Sequence, residues 1–138
     1  MIETARRLSR GTYWTNQLNN HDSVAGYYSL GEEIWKQTTE QIDAFVHCVG
    51  TAASSCGVAI VLKRYKPIIK IVAVEPAESS VLLGGSPGPH KIEGVGTGYT
   101  PSLWNPALID DAKVVTLMAD SGLTYLNADI YKRDKTCA

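Results

Sequence analysis

DAFVHCVGTAASSCGVAIVLKRYKPIIKIVAV, residues 43–74, is the stretch on which the fold turns. Asp43 to Val49 is a short apolar run of strand type. Gly50 to Ser55 is a tight loop of small residues, and Val58 to Tyr65 carries the apolar residues Val58, Ile60, Val61 and Leu62 of a helix. Pro67 ends that helix, and Ile68 to Val74 is a second strand rich in β-branched residues. Strand, helix and strand in this order form a βαβ unit, which implies parallel strands joined by a right-handed crossover. The fold class expected is α/β, with a small, mostly parallel sheet containing 43–49, 69–74 and 114–119 and helices flanking it.

Outward from this unit the signals thin. Residues 2–10 read as the end of a helix stopped by Gly11, and Thr12 to Asn16 as a short strand. Asn19 to Ser23 reads as a polar loop, and residues 31–39 as a helix with Ile34 and Trp35 facing inward. Residues 84–106 hold six glycines and four prolines and no period, so they are expected to lack regular structure and to be mobile. Lys113 to Ala119 is a third strand candidate. Tyr125 to Tyr131 leads into a charged tail.

Composition bounds the function. The chain has 138 residues, enough for one domain, 1–138, with a single core. Hydrophobic residues make up 44% and charged residues 20%, and the formal net charge is -1. That balance makes no electrostatic case for nucleic acid or an anionic membrane. No apolar run approaches the ~18 residues of a membrane span. Arg6, Arg7 and Arg10 near the start resemble an organellar presequence, but Glu3 and the shortness of the run favour a surface helix. The three cysteines, Cys48, Cys56 and Cys137, fit neither a disulfide framework nor a metal site. A reducing, cytoplasmic compartment follows as the expectation.

The loop after the first strand carries the most chemistry. Gly50, Thr51, Ala52, Ala53 and Ser54 join a strand end to a helix N-terminus. Small side chains allow close backbone approach, and first-turn amides and the helix dipole favour an anion. A phosphate cradle and a plain packing turn are both open on spacing alone. His47, mid-strand, reads as a packed or partly exposed histidine rather than a catalyst. Cys56 reads as structural, although a helix N-terminus is able to acidify a thiol. Asp110 and Asp111 are adjacent and read as a solvated loop or a cap rather than a carboxylate dyad.

Several stretches resemble the cysteine synthases, the O-acetylserine sulfhydrylases among fold type II (tryptophan synthase beta-like) pyridoxal-phosphate enzymes. The most specific is Gly84-Gly-Ser-Pro-Gly-Pro-His-Lys-Ile-Glu-Gly-Val-Gly-Thr-Gly-Tyr99, against the family's GG-x-PGPH-KI-x-G-x-G-x-G-[FY] run. Val74 to Ser79 matches VEP-x-ES, and Asp43 to Ser54 matches the strand and phosphate loop. Asn16 to Asn20 resembles NQF-x-N, and Val114 to Leu126 the final strand and its D-S-G-x-x-YL ending.

The resemblance implies pyridoxal 5'-phosphate as cofactor and O-acetylserine and sulfide as substrates. It assigns cofactor binding to Gly50, Thr51, Ala52, Ala53, Ser54, Gly94, Val95 and Gly96, and substrate-carboxylate binding to Gln17. It assigns no catalytic residue and no metal. The family's Schiff-base lysine and its serine/threonine–asparagine–glycine loop match nothing here, and the eight lysines lie in other contexts. Between Asp111 and Lys113 the family carries a long helical stretch and a serine that bonds the cofactor's pyridine nitrogen, so an internal deletion is expected. Ala52 and Ala53 replace family glycines, and their methyls threaten close approach of a phosphate. The implied protein is a truncated relative, inactive alone. Its competitors are one half of a two-chain enzyme, a noncatalytic peptide-binding module and a cystathionine synthase-like chain, with a homodimer or a complementing chain as the partners to expect.

Overall fold

The computed structural model describes residues 2–114, and within them the 43–74 unit forms as expected. Strand β1 (Ala44–Cys48) leads through the small-residue loop into helix α4 (Ala53–Tyr65), which returns to strand β2 (Lys70–Glu75). Strand β3 (Asp111–Val114) adds on the far side of β2, giving the order β1-β2-β3 with both pairings parallel. The third strand therefore starts at Asp111, before the expected 114, and 115–119 lie outside the described residues. Register pairs Ala44 with Lys70 and Cys48 with Val74, so the carboxyl ends of β1 and β2 emerge side by side.

Helices α1 (Ile2–Leu8), α2 (Asp22–Gly26) and α3 (Tyr28–Gln37) precede the sheet. Three expectations are corrected here. Thr12 to Asn16 forms no strand; the isolated aromatic pair Tyr13 and Trp14 has no paired edge and so no ladder to join. The polar loop expected at 19–23 winds into α2 from Asp22, because Asn20 Oδ1 accepts the Asp22 amide at 3.0 Å and its carbonyl takes the Ser23 hydroxyl. Helix α4 begins at Ala53, not Val58, so Ala53, Ser54 and Ser55 are first-turn residues. Between Gly84 and Asn105 no helix or strand forms, and Pro106–Leu108 makes a short 3-10 turn.

The core has two parts that share α4. Val58, Ala59, Leu62, Ile69 and Ile71 form one cluster, with Ile34, Trp35 and Phe45 packed against it. Val49, Ala52, Ala53, Cys56, Ala73 and Leu103 form the other, under the loop. Two glycines set how closely the preceding helices approach α4. A Cβ on Gly57 would stand 2.4 Å from the Val24 carbonyl oxygen, and one on Gly31 would stand 2.7 Å from Val61 Cβ.

Charge pairs fasten the end of the sheet remote from the loop. Lys66 Nζ lies 2.7 Å from Asp43 and donates to the Ile42 carbonyl at 3.0 Å. Lys63 Nζ lies 2.8 Å from Asp110 Oδ2, and the Ile71 amide donates to the same oxygen at 2.9 Å. Asp110 is thus neither a loop ornament nor a helix cap; it joins α4 to β2 ahead of β3. The hydrogen bond from Lys63, then that from Ile71, hold its carboxyl below the usual carboxylate range.

Two outcomes follow. Gly57→Ala gains about 1 kcal/mol in helix propensity, yet its methyl meets backbone, so urea unfolding is expected to show a net loss of about 1–3 kcal/mol. For Asp110, a depressed folded-state pKa contributes stability that is fully present above the unfolded value and lost as pH falls through the folded one. Asp110→Asn is expected to unfold earlier than wild type at neutral pH, with the gap closing below about pH 4. A gap that widens on acidification would contradict the pairing.

Candidate functional site

The loop between β1 and α4 sits at the carboxyl edge of the parallel sheet, where α/β proteins bind ligands. Its turn is made by Ala52, held in the left-handed region at φ 71 as the residue that caps α4. No side chain caps the helix in the standard way; instead Thr51 Oγ1 accepts the Ala53 amide at a long 3.4 Å. The amides of Ser54 and Ser55 belong to the first turn, where an α-helix offers no internal acceptor. Ser55 turns its hydroxyl back to the Ala52 carbonyl at 3.1 Å and is buried. Ser54 is half-buried and bonds His47 Nε2 at 2.9 Å.

Residues 94–96 lie directly against this loop. A Cβ on Gly50 would fall 2.4 Å from the Gly94 carbonyl oxygen, and the Gly96 amide donates to the Val49 carbonyl at 3.1 Å. Gly94 and Gly96 adopt φ of 78 and 62, as the tight path requires. His90 steadies the far side through Nε2 and the Gly96 carbonyl, 2.8 Å apart, and a Cβ on Gly96 would collide with that ring and with Pro76. The structure thereby brings together Gly50 to Ser54 and Gly94 to Gly96. Gln17 lies on an exposed turn after Asn16, with no hydrogen bond to the loop among the described residues. Its neighbour Leu18 is tied by its carbonyl to the Ser102 hydroxyl.

One residue here, Glu75, was not singled out from sequence. Glu75, at the end of β2, is 3% exposed, and its two carboxylate oxygens accept the Leu82 and Leu83 amides, each at 2.9 Å. With Val49, Gly50, Ser79 and Gly96 it lines a small cavity beside the loop. Its position at a strand's carboxyl end was the available signal. Cys56 donates to the Leu103 carbonyl at 3.4 Å, and burial pushes its thiol up despite the helix N-terminus. His47 has its basicity lowered by burial.

These residues fit a phosphate group. The methyls of Ala52 and Ala53, 2% and 3% exposed at the residue level, are absorbed into the apolar cluster under the loop. Steric exclusion of a phosphate by those methyls is therefore not what the structure shows. Thr51 and Ser54 remain at the partly exposed surface with the first-turn amides. Lys63, Lys66 and Lys70 do not attend this site. Lys63 lies ten residues past Ala53, about 15 Å along the helix axis, and Lys70 pairs with Ala44 at the opposite end of β1.

The contact at Gly50 generates a test. Gly50→Ala is expected to push residues 94–96 off the loop and break the bond from the Gly96 amide. Hydrogen exchange at Gly96 should accelerate while the Ile71 amide stays protected; unchanged Gly96 protection would sink the packing argument.

Comparison with known proteins agrees with this geometry. Cysteine synthases of Staphylococcus aureus strains Mu50 and N315 are 47% identical over 83 residues, which are 59% of this chain and 27% of those proteins. A cysteine synthase structure from Entamoeba histolytica superposes with a TM-score of 0.78 at 36% identity, covering 83% of this chain and 35% of that one. An O-acetylserine dependent cystathionine beta-synthase from Helicobacter pylori gives 0.76 at 33% identity, covering 83% and 38%. The chain thus spans 27% of the length of those curated relatives. No helix among the described residues is long and apolar enough to cross a membrane. The family profile described as pyridoxal-phosphate dependent enzyme matches residues 1–122, and with the sheet, loop and 94–96 wall in place the chain belongs to that family.

Proposed function

We propose that residues 1–138 are one partial domain of a cysteine synthase-like enzyme for O-acetylserine and sulfide, and that they supply the cradle for the cofactor's phosphate but not its lysine. The observation that carries this reading is the loop before α4, backed by the Gly94 carbonyl in the space a Gly50 side chain would need and by the Gly96 amide on the Val49 carbonyl. Thr51, Ser54 and the amides of Ala53 to Ser55 would hold the phosphate oxygens, with the helix dipole adding favourable potential. Gly94, Val95 and Gly96 wall the cleft, and Gln17 takes the substrate carboxylate. When bound, pyridoxal phosphate supplies the electron sink for chemistry at the substrate's α-carbon.

No group on these elements is suited to take the α-proton. A nucleophilic or basic lysine needs burial or a neighbouring cation to lose its proton near neutral pH. Lys63 and Lys66 instead face carboxylates at 2.8 and 2.7 Å and are engaged in those ion pairs. As a polypeptide on its own, the chain is an anion-binding scaffold with no catalytic base among the described residues. A second reading, a cystathionine synthase-like enzyme, draws support from the Helicobacter pylori structure.

The test uses the purified 138-residue chain with pyridoxal phosphate, O-acetylserine and sulfide. No cysteine is expected. Borohydride trapping and peptide mapping should give scattered, substoichiometric labelling of surface lysines. Stoichiometric labelling of one lysine together with sulfide-dependent cysteine formation would overturn the assignment.

A further inference from the structure

His47 sits on β1 one residue before the strand's last residue, Cys48, and its half-buried ring reaches Ser54 of α4. Its surroundings are simple. Phe45 of the same strand stacks on it with ring centroids 5.5 Å apart, β2 places Ala73 beside it, and α4 offers Ser54. Burial alone lowers its basicity; no charged group contributes. Among the described residues the polar partner of its Nε2 is the Ser54 hydroxyl at 2.9 Å, and Ser54 belongs to the candidate phosphate loop.

A serine hydroxyl has one proton and two lone pairs. If imidazole Nε2 accepts, the serine proton is spent on the histidine and only lone pairs face the loop. If Nε2 carries a hydrogen and donates, the serine's proton is released for an incoming acceptor. An anion at the loop stabilises only the second arrangement. We propose that His47 is a positioning residue for a phosphate monoester at the 50–54 loop, donating Nε2–H to Ser54 Oγ so that the serine's own proton is turned to the anion. This rests on the loop being the phosphate site. Protonated imidazole keeps the same Nε2–H and adds a positive charge, so anion binding is linked to proton uptake by His47. The sign is fixed: the bound anion raises the imidazole pKa, and the histidine's contribution to affinity grows as pH falls through that raised value.

Pyridoxine 5'-phosphate is the probe, because it has the phosphate and lacks the aldehyde that would react with lysines; pyridoxine is the control for phosphate dependence. Binding to the full chain is measured by calorimetry between pH 5.5 and 8 (a range set by the usual histidine pKa, about 6.5), for wild type, His47→Gln and His47→Ala. The phosphate's own protonation is common to all three and cancels in the comparison. His47→Ala is expected to weaken binding about tenfold, the order seen when a hydrogen bond to a charged group is disturbed. His47→Gln, which keeps a donor without a titrating charge, should recover part of the affinity at high pH and none of the added affinity at low pH. Nitrogen-15 shifts of the wild-type imidazole report the same feature without any variant: Nε2 should carry hydrogen in the complex. Equal affinity in all three proteins, or an Nε2 that lacks hydrogen in the complex, overturns the role of His47 while leaving the loop as a phosphate site. Failure of wild type and variants alike to bind overturns the loop assignment and this inference with it.

Discussion

The carboxyl edge of the sheet depends on one backbone approach. Gly50 leaves β1 with no side chain, and the Gly94 carbonyl occupies the space a Cβ would need. That contact lets the Gly96 amide reach Val49, closes the wall of the cleft, and leaves Ala52 to make the left-handed turn into α4. An alanine pays some backbone strain in that conformation. Its methyl lies in the cluster of Val49, Ala53, Cys56, Ala73 and Leu103, where burial of a methyl offsets strain of similar size.

The sheet is chemically polarised along its strands. At one end lie Asp43 with Lys66 and Asp110 with Lys63, which tie the carboxyl end of α4 to the starts of the strands. At the other end lie uncharged hydroxyls, first-turn amides and a half-buried imidazole. Lys63 and Lys66 are paired where they stand, so an anion at the loop would have dipoles and hydrogen bonds to meet it. Glu75 is the exception near the site, and its carboxylate is fully engaged by two amides of the following turn.

Much of this was legible in the sequence because periodicity reports directly on backbone state. The strand–loop–helix–strand pattern of 43–74 requires parallel pairing, and the structure has it. The Gly/Pro run after Gly84 has no hydrogen-bonding pattern to offer a helix or sheet, and none forms before Asn105. Boundaries were less legible. Ser54 and Ser55 look like loop residues, yet the turn at Ala52 makes them helical, and Asp22 enters a helix through a side-chain bond from Asn20. Local polarity cannot distinguish a solvated loop from a first turn, since both favour the same residues.

The sequence alone determined the family, through the PGPH-KI run and the loop motif, and with it the cofactor to be expected, because such motifs are dense local constraints on the backbone. Tertiary structure decided the rest. Only packing shows that the Ala52 and Ala53 methyls turn into the core, that Gly94 lies on Gly50, and that Asp110 reaches across to Lys63. Only packing pairs His47 with Ser54, seven residues away across a turn. Each is a relation between side chains or backbones on different elements, and its distance depends on how those elements are placed, which no local pattern encodes.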